Sequence, residues 1–441
     1  MTPGHDLLVV GAGLAGCEAA HLAARTGLRV RLVDIKPEAK TPAHKLHGPA
    51  ELVCSNSLGS NRPETAPGQL KAEMRRLGSV ILPAADAARV PAGGSLAVHR
   101  ETMSRETERL LADEGVRVEC AEIRELPDEP AIVATGPLTT DGLAAAIREA
   151  TGSDGLFFFD ATSPIVAADT IDREVVFAAG RWDKGDPDYL NCPMTREEYE
   201  AFFAALVAAE KVAPHDFEDD RVFEACMPIE SIASRGPMTL AFGPMRPVGL
   251  VDPRTGRRPF AVVQLRREDA HGEAYNLVGF QTRMKWGDQQ RVLRMIPGLA
   301  NAEFLRLGVM HRNTYVDGPR VLTPTLALEA RPNVRLAGQI TGVEGYTESA
   351  ACGMLAALFA VAEARGIEIP PPPPTTLMGA LHGHVTASPA RPYLPMNANL
   401  GILPGIEETL RKMGKAERRA AKVERAARDF EEWAKGLSVL R

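Results

Sequence analysis

Hydrophobic positions along this chain of 441 residues keep two different periods, and the places where one gives way to the other mark its elements. In "DLLVVGAGLAGCEAAHLAARTGLRVRLVDIKP" the unbroken apolar run Leu7 to Val10 predicts a strand buried on both faces. A glycine turn follows, then an Ala-rich helix, then a second strand ending at Asp34. "HRETMSRETERLLADEG" has helical spacing and stops at Gly115, and it feeds a strand in "RVECAEIREL". "EPAIVATGPL" is an apolar strand closing on a glycine. "NVRLAGQITGVEGYTESAACGMLAALFAV" is another, followed by a long Ala-rich helix that begins near Tyr346. From about residue 201 the pattern changes. "TREEYEAFFAALVAAEKV" is a helix with an apolar stripe, and "RPFAVVQLRRE" and "AYNLVGFQT" read as strands. The expected architecture is α/β, with an α+β domain at 201–305 inserted into a discontinuous unit of 1–200 and 306–370. "IPPPPPTT" at 369–376 is a stiff turn. The extension 371–441 ends in a charged helix and is expected to pack on the first unit.

The first glycine turn carries chemistry. Gly11, Ala12, Gly13, Leu14, Ala15 and Gly16 form G-x-G-x-x-G between a strand and a helix. Such a turn brings bare backbone to a pyrophosphate and aims a helix N-terminus at it. Asp34, about 20 residues on, is placed to accept hydrogen bonds from ribose hydroxyls. Together with Ala134, Thr135 and Gly136, and with the late unit Gly338, Gln339, Gly342, Gly345 and Tyr346, this trio resembles the glutathione-reductase class of FAD proteins. The resemblance implies a Rossmann-like FAD domain split in sequence, with the Tyr346 helix directed at the flavin. A second G-x-G-x-x-G is absent from the sequence, so a nicotinamide reductant, NADH or NADPH, is expected to dock transiently.

Composition narrows the possibilities further. Six cysteines are spread without any C-x-x-C pair, which excludes a zinc ribbon and a thioredoxin motif. Neither a signal peptide nor a membrane span is read at the start of the chain, so a cytoplasmic protein is expected. No metal is expected either: His382 and His384 are assigned to local hydrogen bonds. A net charge of −6 argues against a uniformly basic surface. Arginines nevertheless gather between 246 and 294, as a locally docked polyanion would require. Cys54, in the polar run "LVCSNSLGSN", has no local thiol partner. Cys17 and Cys352 read as packing residues, and Cys120 and Cys192 show no role.

"LVCSNSLGSN", "RVFEACMPIESIASRGPM", "GAGLAG" and "LAGQITGVEGYTESAACG" together resemble the folate/FAD-dependent tRNA (uracil-5-)-methyltransferases over almost the whole chain. That family implies methylation of C5 of uridine 54 in the tRNA T-arm. The carbon comes from 5,10-methylenetetrahydrofolate, and FAD reduced by NADH or NADPH carries the methylene and supplies the hydride. Cys54 and Cys226 are the implied catalytic pair. One thiolate adds to uracil C6 and a base removes the C5 proton. The residues do not order the two, and Cys54 as nucleophile with Cys226 as base is the order carried forward. Arg100, Arg283 and Lys285 are candidates to stabilise a thiolate. Ser55, Asn56 and Ser57 are expected to bond flavin, folate or base. RNA contacts are expected among Arg246, Arg257, Arg258, Arg283, Lys285 and Arg291. The same chemistry on a ribosomal-RNA uridine, a non-catalytic flavin-containing RNA-binding protein and a simple NAD(P)H:flavin oxidoreductase stand as alternatives.

Overall fold

The computed structural model of the chain describes residues 4–41, 44–152, 156–161, 163–183, 187–212, 227–269, 271–308, 310–391, 393–405 and 414–437. Strand β1 (Leu7–Val10) lies inside a six-stranded sheet, fully buried as its apolar run requires. It pairs in parallel with β2 (Val30–Asp34) on one side and with Ala131–Val133 on the other. Val118–Cys120 extends the sheet beyond β2, and Arg331–Leu336 and Ala327–Leu328 extend it beyond Ala131–Val133. The strand order therefore reverses beside β1. A crevice opens at the carboxyl ends of strands at such a point, and ligands bind there.

Helix α1 (Leu14–Arg25) connects β1 to β2 and packs against the helix Tyr346–Ala364. The approach is very close: a Cβ on Gly353 would lie 2.1 Å from the Ala15 carbonyl oxygen. Tyr346–Ala364 is long and apolar enough to cross a membrane, but 83% of its apolar window is buried inside the protein. It is a central core helix.

A second six-stranded sheet runs in the order Phe177–Ala178, Tyr189–Met194, Ala261–Arg267, Ala274–Leu277, Ile165–Ala167, Phe304–Arg306, with antiparallel neighbours. It reaches back to Ile165, well before the boundary expected at 201. Its first two strands in chain order are three and two residues long, too short to show a period. The helix Arg196–Ala208 covers it with Tyr199, Phe202 and Leu206, and starts at a capping box between Thr195 and Glu198. A two-stranded ladder of Leu156–Ala161 and Met310–Tyr315 carries the chain from the first sheet to the second and back.

The proline segment leads into the helix Leu377–Ala387. Its first N–H groups are accepted by the buried carboxylate of Glu73 as well as by its own cap, Thr376. The last helix, Lys415–Gly436, lies on the helix Ala66–Leu77. Arg76 and Glu431 make a two-pronged ion pair, and Trp433 Nε1 donates to the Pro370 carbonyl at 3.0 Å.

Candidate functional site

A cleft opens at the switch point, with about 1030 Å³ of empty space when its solvent-open mouth is counted. Gly11, Gly13, Leu14, Ala15, Asp34, Ala134, Thr135, Gly136, Gly338, Gln339 and Tyr346 line it, all predicted from sequence. Ala12, Gly16, Gly342 and Gly345 are not among its lining residues; Cβ atoms on Gly342 and Gly345 would meet Tyr393 and Glu348 instead. Ala12 N donates to Asp34 Oδ2 at 2.7 Å, and Lys36 N donates to Oδ1 at 2.9 Å, so the carboxylate is held at the cleft edge with lone pairs to spare. A Cβ on Gly16 would meet the Gly11 carbonyl oxygen at 1.8 Å, and one on Gly11 would meet that of Ala134 at 2.7 Å. Those two glycines serve protein packing. Gly13 differs: an added Cβ would find no protein atom within 4 Å. Its bare face opens on the cleft, at the N-cap of α1, where no side chain caps the helix. Uncapped N–H groups, a helix dipole and a carboxylate with lone pairs to spare fit a dinucleotide such as FAD.

Tyr346, which lines this cleft, stands against Cys54. The Tyr346 hydroxyl accepts from Cys54 N at 2.8 Å and from Ser55 N at 3.3 Å, and lies 3.0 Å from Cys54 Sγ. With two N–H groups on its oxygen, the phenol's own proton is free to point at sulfur. Burial pushes the Tyr346 pKa well up, so the phenol stays neutral and remains a donor. A donor aimed at sulfur favours the thiolate.

Arg306 reinforces this arrangement. Its Nη2 donates to the Val53 carbonyl at 2.7 Å, and its electrostatic neighbours are Arg100, Tyr346, Glu268 and Cys54. Arg100 pairs with Glu268 at 3.3 Å. Of the three expected cations, Arg100 thus belongs to the cluster. Lys285 pairs with Glu210 at 2.6 Å, and Arg283 Nε lies 4.0 Å from Glu230. Sequence reasoning missed Arg306, whose contact spans 253 residues and leaves no local signal.

Asn56 corrects an expectation. It is fully buried, with Oδ1 accepting from Arg266 Nε at 3.1 Å and Nδ2 donating to the Arg267 carbonyl at 2.9 Å. It latches the Cys54 loop to the second sheet and is not free to bond a ligand. Ser55 and Ser57 accept from backbone N–H groups of their own loop. Cys226 lies outside the described residues. Cys17, Cys192 and Cys352 are buried, and burial pushes their thiols up. His382 and His384 sit against the carbonyls of Pro324 and Leu394.

A family model described as "Glucose inhibited division protein A" matches residues 6–368. A protein of Anaeromyxobacter dehalogenans named "Methylenetetrahydrofolate--tRNA-(uracil-5-)-methyltransferase TrmFO" is 55% identical over 433 residues, covering 96% of this chain and 95% of its own. One of Moorella thermoacetica with the same name is 54% identical over 407 residues, 92% and 93% of the two chains. This chain belongs to the folate/FAD-dependent tRNA (uracil-5-)-methyltransferase family. The solved structure of Aquifex aeolicus GidA shares the fold at a TM-score of 0.69 and 16% identity, over 99% of this chain and 75% of that one.

Five of the enzyme's six expected RNA-contacting residues, all but Arg246, fall in two groups. Arg257 and Arg258 lie beside Phe260, which packs on Tyr199 near the start of the helix Arg196–Ala208. Arg283, Lys285 and Arg291 lie near its end, where Lys285 N donates to the Glu210 carbonyl. Thirteen helical residues separate the groups by about 20 Å. Lys285 and Arg291 are already paired, with Glu210 and Asp288. Arg246, Arg257 and Arg258 are exposed.

Proposed function

We propose that this folate- and FAD-dependent tRNA (uracil-5-)-methyltransferase methylates C5 of uridine 54 in the T-loop of tRNA, in the cytoplasm, with 5,10-methylenetetrahydrofolate as carbon donor and NADH or NADPH as reductant. The observation that carries this reading is the Cys54 thiol, held by Tyr346, a residue that lines the cleft. Gly13, Asp34 and Gly338 would hold FAD, which when bound would supply the one-carbon carrier and the hydride.

The protein's own part is nucleophilic and positional. Uracil C5 is a poor nucleophile until a thiolate adds to C6 and pushes charge onto the C5–C4–O4 system. Cys54 Sγ performs that addition, and the Tyr346 hydroxyl steadies its anion beforehand. Cys226 is the base that takes the C5 proton. The target uridine must leave its stack to reach Sγ, and the arginines expected to contact RNA, which lie outside the strands of the second sheet, hold the phosphates that fix its position.

The test combines flavin-loaded enzyme, methylenetetrahydrofolate, NADPH or NADH, and an unmodified tRNA transcript. 5-Methyluridine is expected at position 54 and is absent when that position is cytidine. Methylation of a ribosomal-RNA fragment in place of tRNA, or NADPH oxidation without any methylated RNA, overturns the reading.

A further inference from the structure

The second sheet carries a tryptophan that neither its core nor the cleft accounts for. Trp182 is 64% exposed and holds φ 63, ψ 25, a left-handed backbone that a bulky side chain rarely adopts. Three contacts enforce it. Trp182 N donates to the Gly249 carbonyl at 2.7 Å. Its indole lies against Gly249 itself, where a Cβ would stand 2.9 Å from both Cε2 and Nε1. Arg181, beside it, turns inward and donates to Gln264 Oε1 at 3.0 Å and to the Arg246 and Val248 carbonyls at 2.9 and 2.7 Å. The ring is thus backed by main chain and presents itself to solvent at a fixed angle.

The segment behind it, "RPVGLVDPRTGRR" at 246–258, holds four arginines and one aspartate. Asp252 is taken by Arg254 at 2.8 Å. Among the described residues, Arg246, Arg257 and Arg258 form no ion pair and all three are exposed. A rigid aromatic face packed on a segment that carries exposed arginines has the chemistry of single-stranded nucleic-acid binding: bases stack on rings and phosphates meet arginines. A purely apolar partner would leave those charges desolvated and unpaired.

We propose that Trp182 is a stacking platform for an unpaired base of the bound tRNA, with Arg246, Arg257 and Arg258 on the neighbouring phosphates. This rests on the tRNA reading above and goes beyond it, since Trp182 stands outside the Cys54 site.

Stacking and phosphate contact respond differently to salt. In tRNA titrations of the flavin-loaded enzyme, Trp182→Ala is expected to weaken binding about ten-fold and Trp182→Phe about two-fold, with the salt slope of log K unchanged in both. The double variant Arg257→Glu, Arg258→Glu is expected to lower that slope by about two. Tryptophan emission is expected to be quenched by tRNA in the wild type and to lose most of that quenching in Trp182→Phe. Unchanged flavin content keeps the variants comparable. Wild-type affinity in Trp182→Ala, or undiminished quenching in Trp182→Phe, overturns the proposal alone. A wild type that binds no tRNA overturns both it and the reading beneath it. A Trp182→Ala variant that alters self-association while leaving tRNA affinity intact makes this a face between copies and likewise overturns the proposal.

Discussion

Replacing Gly13 by alanine separates what the glycine turn does for the ligand from what it does for the fold. Gly13 has φ −72, which alanine adopts without strain, and its added methyl meets no protein atom within 4 Å. The cost to folding is only that of a poorer N-cap, about 1 kcal/mol. The methyl instead occupies the space where a pyrophosphate approaches the α1 N-terminus. Losing one or two charge-assisted hydrogen bonds there costs about 2–4 kcal/mol, or roughly 30- to 1000-fold in FAD affinity. Gly16→Ala and Gly353→Ala are the contrasting cases. Their Cβ atoms would fall 1.8 and 2.1 Å from the main-chain oxygens of Gly11 and Ala15, which cannot swing aside as a side chain can. Overpacking of this kind costs about 1–3 kcal/mol or more in stability. Flavin absorbance per protein, FAD titration of stripped protein and thermal melts distinguish the cases. Gly13→Ala should melt near wild type and lose flavin, whereas Gly16→Ala and Gly353→Ala should melt early. A Gly13→Ala protein that keeps FAD at wild-type affinity would refute the placement of the pyrophosphate.

Three further outcomes are expected. Tyr346→Phe removes the hydroxyl beside sulfur, so alkylation of the Cys54 thiol near neutral pH, followed on the Cys54 peptide, should slow at least several-fold; an unchanged rate would count against the phenol as donor. Asn56→Ala cuts the latch to Arg266 and Arg267 and should cost about 1–3 kcal/mol in stability and also lower turnover with little change in flavin content; full turnover would show that the latch does not position Cys54. Glu18 and Glu73, pushed up to about 7 by burial although each accepts main-chain N–H groups, give a pH signature. Between about 4.3 and 7 the folded chain holds protons that the unfolded chain has released, so stability falls as pH rises through that window, on the order of 3 kcal/mol per group. Glu18→Gln and Glu73→Gln should each flatten that fall in melts from pH 5 to 7.5, and an equally steep fall in both would contradict the assignment.

The parts of this fold that could be read from sequence are those whose physics is local. A doubly buried strand must be apolar throughout, so β1 is visible as Leu7–Val10, and the glycine spacing then gives α1, β2 and Asp34. The Tyr346 helix is equally visible because its position between other elements demands an apolar surface. Illegible parts depend on distant contacts. Arg306 reaches Val53 from a three-residue strand, and Ile165–Ala167 and Phe177–Ala178 are too short to show a period. Asn56 looked like a ligand contact because its neighbours are polar, yet tertiary packing buries it completely. Trp182 gave no signal, since its exposure follows from a backbone held by Gly249, 67 residues on.

The central claim is that Cys54 Sγ forms a bond to the target uridine. A tRNA carrying 5-fluorouridine at position 54 tests it, because C5 then holds fluorine where a base would remove a proton, and a C6 adduct persists. After incubation of this RNA with the flavin-loaded enzyme, methylenetetrahydrofolate and NADPH, so that the methylene can reach C5, digestion and mass spectrometry should find the nucleotide on the peptide containing Cys54. An adduct confined to another cysteine, or undiminished methylation of ordinary tRNA by Cys54→Ser, would contradict the account.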